Sequence, residues 1–212
     1  MPDYSGASNT TELALLLKAH CMVRRFKPDM LPHLPIKQRQ KVEIAVGRQH
    51  LDREMEQRRA EAEQEGRQEV KMRPKLLQWF AATAPLKLPA VLEHLRGLLA
   101  EGRKFLVFFH HQAMGAGVTD MLDQQRVAHI KIDGKVSSEE RARRVDRFQE
   151  DDRVRVAVLS ITAANSGITL TAATLVVFAE LFWNPGNLLQ AEDRAHRIGQ
   201  TGSVTVQYLV AK

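Results

Sequence analysis

The stretch Gln190-Ala-Glu-Asp-Arg-Ala-His-Arg-Ile-Gly-Gln200 holds residues whose types and spacing suit phosphate chemistry. Gln190, Arg194 and Arg197 stand at i, i+4 and i+7, so a helix would send their side chains off one face. Asp193 lies four residues before Arg197, the separation at which a carboxylate braces a cation on a helix. Two guanidiniums held together can clamp a transferring phosphoryl group, a role in which an arginine finger is worth about 10³–10⁵ in rate. The same spacing also describes a charged, solvated helix face, and charge pattern alone does not separate the two.

A clamp of this kind needs a scaffold to aim it, and the chain has one from about Leu76 onward. Leu88, Val91, Leu92, Leu95, Leu98 and Leu99 form an apolar helical stripe, with Gly102 where a C-cap is expected. Phe105 to Phe109 is continuously apolar, as central parallel strands are, and similar runs recur at His129 to Ile132, Val154 to Leu159, Thr174 to Phe178 and Val204 to Val210. Between them, Ser137 with Glu140 has capping-box spacing before Ala142, Val145 and Phe148, and Asn184 can cap a helix that starts at Pro185. This alternation predicts an α/β fold, a mostly parallel sheet with helices on both faces and ligands at the carboxyl ends of its strands. Gly115 and Gly117 fall inside an expected helix, where each costs about 1 kcal/mol against alanine. No functional reason for them is visible at this level.

Two loops are expected at the same strand ends. Ser160-Ile-Thr-Ala-Ala-Asn-Ser-Gly-Ile-Thr-Leu-Thr-Ala-Ala173 is rich in small residues and hydroxyls. Its small side chains let backbone approach a phosphate, while Ser160, Thr162 and Asn165 offer hydrogen bonds; an ordinary strand-to-helix loop has the same composition. Asp133-Gly134-Lys135 reads as a tight turn bearing a cation.

Upstream, residues 11 to 23 predict a helix capped by Thr10 or Thr11, with Leu13, Leu16 and Leu17 on one face. Arg24, Arg25, Lys27, Lys37, Arg39 and Lys41 then cluster around Pro28, Pro32 and Pro35, a composition that breaks regular structure and keeps positive charge exposed. From Gly47 to Glu69 the chain is almost wholly polar, a protruding helix or partly disordered insertion. The organisation expected is therefore a basic, mainly helical linking segment over 1–45, a polar insertion over 46–75 and an α/β lobe over 76–212.

Composition sets outer bounds. The 212 residues carry a net charge of +6, which favours a polyanionic partner such as nucleic acid without requiring one. No apolar run approaches the roughly 18–20 residues of a membrane helix, so no membrane partner is expected. Cys21 is the single cysteine, which rules out an internal disulfide and fits a reducing compartment. The sequence holds no Gly-x-x-x-x-Gly-Lys-Ser/Thr phosphate loop and no strand ending in paired acidic residues for the magnesium of an NTPase. Its arginines lack the phosphate cradle they would serve.

Phe105-Leu-Val-Phe-Phe-His-His111, Ile132-Asp-Gly134, Leu159-Ser-Ile-Thr-Ala-Ala-Asn165, Phe178-Ala-Glu-Leu-Phe-Trp-Asn-Pro-Gly186 and the opening stretch occur in this order. Together they resemble the C-terminal RecA-like lobe of Swi/Snf-type helicase-like ATPases. The Phe178–Gly186 stretch and the ending Tyr208-Leu-Val-Ala-Lys212 are most similar to the annealing-helicase branch that acts at stalled replication forks. Asn165-Ser166 stands where the wider family has a glycine pair, in a form that fits this branch. Cys21-Met-Val-Arg-Arg-Phe-Lys27 and Leu34-Pro-Ile-Lys-Gln-Arg39 resemble the segment that leaves the first lobe.

The resemblance implies the second motor lobe of a DNA-dependent ATPase that translocates on duplex DNA and anneals or remodels forks in the nucleus. Arg197 would be the principal finger and Arg194 its neighbour at the phosphates of ATP, with Gln190, Asp193 and Gly167 completing the nucleotide side. Magnesium would be held by the first RecA-like lobe. DNA, duplex or branched, would meet Ser160, Thr162, Asn165, Arg24, Arg25 and the loop of His110 and His111, although the histidines also read as satisfied polar residues. Metal binding by the histidine pair lacks a third ligand at zinc-like spacing. The isolated chain would hydrolyse no ATP. Two alternatives stay open: a non-catalytic DNA-binding or interaction protein, and the lobe of a nucleosome remodeller.

Overall fold

A computed structural model of the protein describes residues 8–23, 31, 33–46, 72–163 and 167–212. Arg24, Arg25, Asn165 and residues 47–71 of the expected polar insertion lie outside them. The chain divides into two compact units, Met1–Leu34 and Pro35–Lys212.

The first unit contains helix α1 (Thr10–His20). Thr10 and Thr11 fall inside its first turn, and the cap position belongs to Asn9, whose left-handed backbone (φ 50°) is one asparagine tolerates. The helix ends at His20, short of the expected residue 23, where Cys21 leaves helical geometry. Leu13, Leu16 and Leu17 are exposed.

The second unit is built on six parallel strands: β1 (Lys37–Ile44), β2 (Phe105–Phe109), β3 (His129–Ile132), β4 (Val156–Ser160), β5 (Leu175–Phe178) and β6 (Val204–Ala211). Their spatial order is β1-β6-β5-β2-β4-β3, and every pairing is parallel. Strand alternation sends Phe105, Val107 and Phe109 to one face, where they pack with Val91 and Leu95 of helix α2 (Met72–Ala100) and Met114, Val118 and Leu122 of helix α3 (Gln112–Gln124). Leu106 and Phe108 face the other way, toward Phe148 of helix α4 (Ser138–Glu150) and Ala191 of helix α5 (Pro185–Glu192). Both faces are covered, so the α/β expectation holds, and β2 is buried along its whole length as its composition required.

Local signals place several boundaries. Ser137 Oγ accepts the Glu140 N–H at 3.3 Å and starts α4, and Asn184 Oδ1 accepts the Gly186 N–H at 2.8 Å and starts α5. Gly102, at φ 74°, closes α2 with its N–H on the Leu99 carbonyl. Gly115 and Gly117 gain a physical reason here. A β-carbon at Gly115 would come within 2.6 Å of the Phe109 ring, and one at Gly117 within 2.6 Å of Leu88, so both glycines let α3 lie close against β2 and α2.

One expectation about the basic upstream segment is corrected. Lys37, Arg39 and Lys41 do not sit in irregular structure: they lie on β1, which runs in register with β6 as the edge of the sheet. The sheet therefore takes in a strand from the basic segment upstream of α2. A strand written Lys-Gln-Arg-Gln-Lys-Val-Glu-Ile shows almost no apolar alternation, because an edge strand pairs on one side only and its basic residues find partners elsewhere in the lobe.

Candidate functional site

The carboxyl ends of β2 and β4 carry the histidine pair and the Ser160–Thr162 loop, while the arginine stretch follows the helix that leaves β5. The helix expected through Arg197 stops at Glu192, and Asp193–Ala195 form a turn. The arginines are thus not joined by a helical stripe with Gln190, which is exposed on the last turn of α5. Tight turns bring them together instead. His196 N–H bonds to the Glu192 carbonyl at 3.2 Å and Arg197 N–H to the Ala195 carbonyl at 3.2 Å.

Both arginines then reach the loop that follows β4. Arg197 Nη1 donates to the Gly167 carbonyl at 3.2 Å, Arg194 Nη1 to the Ile168 carbonyl at 3.4 Å, and the Arg194 carbonyl accepts the Leu170 N–H at 2.8 Å. Gly167 has φ 73°, a conformation side chains rarely adopt. Arg197 is exposed, whereas Arg194 is half-buried and its Nε has no hydrogen-bond partner. Burial, followed by the charge of Arg197, pushes the Arg194 guanidinium below its ordinary value, with Asp193 opposing. Asp193, expected to brace Arg197, holds Lys37 Nζ at 3.1 Å. Ser160, at the end of β4, is buried and shares a 2.8 Å hydrogen bond with the exposed Thr162.

Two residues of the same stretch, Glu192 and Gln200, hold this turn, and the sequence had assigned neither a role. Glu192 is fully buried: Oε1 accepts from Arg39 Nε at 2.7 Å and from the Tyr208 hydroxyl, and Oε2 from Arg39 Nη2 at 2.8 Å and Lys37 Nζ at 2.7 Å. Burial alone would raise its pKa, but the hydrogen bonds from Arg39, Lys37 and Tyr208 outweigh it and hold the carboxyl down at about 2. Burial and Glu192 push the Tyr208 hydroxyl up. Gln200, also buried, places Nε2 within 3.1 Å of the Thr171, Ala173 and Ala195 carbonyls, while its Oε1 accepts the Thr201 and Gly202 N–H groups at 3.0 Å.

His110 and His111 sit past the end of β2, at a corner built on Glu180. This carboxylate is 3% exposed; it accepts the backbone N–H of both histidines at 2.8 Å and His111 Nδ1 at 2.7 Å. The rings of Phe80 and Phe182 lie against them, with centroids 4.7–5.3 Å apart, and the exposed Trp183 packs on Phe80 at 4.9 Å. Burial, then the neighbouring His111, lowers the pKa of His110. Lys87 of α2 reaches the Ala179 and Leu209 carbonyls at 2.9 and 3.0 Å, and burial depresses its pKa. Neither Glu180 nor Lys87 stood out in the sequence; a glutamate directly after an apolar strand was the one available cue.

Residues 87–199, more than half of the chain, match the profile of the helicase conserved C-terminal domain. The chain belongs to this family. Over 215 aligned residues this helicase C-terminal lobe is 47% identical to the SWI/SNF-related matrix-associated actin-dependent regulator of chromatin subfamily A-like protein 1 of Xenopus laevis, covering 99% of the chain and 22% of that relative. It is 44% identical over 215 residues to the DNA annealing helicase and endonuclease ZRANB3 of Mus musculus, covering 99% of the chain and 20% of that protein. The lobe thus spans about a fifth of the length of these relatives. The crystal structure of the C-terminal part of the Fun30 ATPase domain superposes with a TM-score of 0.56 at 29% identity, over 60% of this chain and 41% of that one. The helicase lobe therefore gathers Arg194, Arg197 and Gly167 at one place. It sets Ser160 with Thr162 at the end of β4 and the two histidines at the neighbouring end of β2.

Proposed function

We propose that this helicase lobe is the second motor lobe of a DNA-dependent ATPase that translocates on duplex DNA and anneals or remodels stalled replication forks in the nucleus. The observation that carries the reading is the convergence of Arg194 and Arg197 on the Gly167–Ile168 backbone. The names of the relatives, a chromatin regulator and a DNA annealing helicase, support the substrate class.

The donor set suits phosphate. Arg197 presents its guanidinium to solvent and has donors left for phosphate oxygens, while Arg194 stands half-buried beside it with its Nε unpartnered. Among the described residues no group of three or more His, Cys, Asp or Glu could hold a metal ion, and in this reading magnesium would be held by carboxylates of the other lobe. ATP supplies the phosphoryl group whose transfer to water drives movement. Arg197 stabilises the charge that spreads over that group, and Arg194, fixed by the Leu170 and Ile168 contacts, sets its angle of approach. Gln190 and Asp193 border this nucleotide side and Gly167 lets the loop lie close. Ser160, Thr162, Asn165, His110 and His111 take the DNA backbone, with Arg24 and Arg25 adding positive charge.

These 212 residues contain no phosphate loop, so in this reading a second lobe completes the ATP site, and the 212-residue chain alone is expected to hydrolyse no ATP. The test joins the lobe to a phosphate-loop lobe and measures DNA-stimulated hydrolysis at saturating ATP. Arg197→Ala is expected to lower turnover by about 10³-fold or more with DNA affinity unchanged. Near-normal turnover would remove the finger role, and stimulation by nucleosomes rather than forked DNA would assign a remodeller.

A further inference from the structure

The arginine turn has a second set of attachments that the proposed chemistry does not use. Segment 35–39 and segment 192–196 are stitched at three points: His196 Nε2 donates to the Pro35 carbonyl at 2.7 Å, Lys37 Nζ bridges Glu192 and Asp193 at 2.7 and 3.1 Å, and Arg39 grips Glu192 with two donors. Lys37 and Arg39 alternate on β1 and so leave the same face of the sheet. Two cations meet two carboxylates, so the cluster is neutral as well as hydrogen-bonded. The Glu192 carbonyl in turn accepts the Ala195 and His196 N–H groups, both at 3.2 Å, which places the backbone of Arg194 directly on the clamped residue. β1 itself touches the sheet on one side only, through β6.

We propose that Glu192 is a positioning residue, clamped by Lys37 and Arg39, through which strand β1 sets the place of Arg194 and Arg197. Entry of the chain into the lobe is thereby linked to the aim of its arginines: moving β1 moves the turn. The relevance to catalysis rests on the finger reading above; the clamp itself does not.

The test therefore has two arms. In the 212-residue chain, amide hydrogen exchange reads the turn directly. Arg39→Gln and Glu192→Gln should each speed exchange at Ala195 and His196 by about tenfold or more and leave the β2 and β4 amides unchanged. Arg39→Lys, which keeps the charge but loses the fork, should restore part of the protection. In the two-lobed enzyme, the same variants should lower the DNA-stimulated kcat by about tenfold with KM for ATP changed less than about twofold, and Arg39→Lys should recover part of that loss. Arg39 is half-exposed and is the variant expected to stay folded, so it decides the matter if Glu192→Gln unfolds. Unchanged exchange at Ala195 and His196 in folded Arg39→Gln overturns the clamp. Loosened exchange with normal kcat, while Arg197→Ala is inactive, overturns positioning alone; normal kcat in Arg197→Ala overturns the finger reading and leaves the clamp standing.

Discussion

Glu192 and Glu180 are both buried carboxylates of the lobe, yet they are satisfied by different donors. Glu192 is held by side chains from β1 and β6: a guanidinium, an ammonium and a phenol. Glu180 is held chiefly by backbone, the N–H groups of His110 and His111, with the His111 ring as a third donor. A carboxylate bound by backbone N–H groups shapes the loop that supplies them. One bound by long side chains joins segments whose backbones have no other reason to meet. The arginine turn is therefore fastened from a distance, 153 residues along the chain in the case of Arg39, and the histidine corner is fastened where it is made.

The largest expected contrast is kinetic. In the two-lobed enzyme Arg197→Ala should cost about 10³-fold or more in turnover, whereas His111→Ala should weaken DNA binding and leave turnover at saturating DNA within about tenfold; similar turnover losses would erase the division between turn and corner. Next is stability. Glu192→Ala leaves Arg39 facing a void without its counter-charge and Lys37 with Asp193 alone, and should cost about 3–5 kcal/mol in chemical denaturation.

Acid provides a further probe of the same site. The folded carboxyl of Glu192 sits at about 2 against an ordinary 4.5, so its stabilisation is complete above pH 4.5 and is lost as pH falls toward 2. Denaturation curves across that window should lose roughly 3 kcal/mol that the Glu192→Gln variant does not lose. Glu180→Gln keeps the size but sets an amide against two N–H groups, for an expected loss of about 2 kcal/mol with the arginine turn unaltered in its hydrogen exchange. The smallest effect is expected at Gly115→Ala. Crowding of the Phe109 ring costs about 1–3 kcal/mol and the gain in helix propensity returns about 1, a net loss of roughly 1 kcal/mol confined to the histidine side.

Much of the fold was legible because burial writes itself into composition. β2 and β3 fall where their apolar runs placed them, and Ser137, Asn184 and Gly102 mark helix ends by local hydrogen bonding or backbone geometry. β1 was not legible, since its stabilisation comes from pairing with β6 and from a carboxylate far along the chain. The candidate site divides in the same way. Residue types and order pointed to Arg194, Arg197 and Gly167, but the assumed helix was wrong: the chain turns at Asp193, and what aligns the arginines is the Gly167–Ile168 backbone.

By itself the sequence determined the parallel α/β lobe, the helix ends at Ser137, Asn184 and Gly102, and its family, because each follows from local composition and from short motifs read in order. Only the tertiary structure decided that Lys37 and Arg39 clamp Glu192, that Gln200 closes the turn from the other side, that Glu180 gathers the histidines, and that Phe109 and Leu88 crowd a β-carbon at Gly115 and Gly117. These are contacts between residues distant in sequence, and their strength comes from burial that no local pattern records.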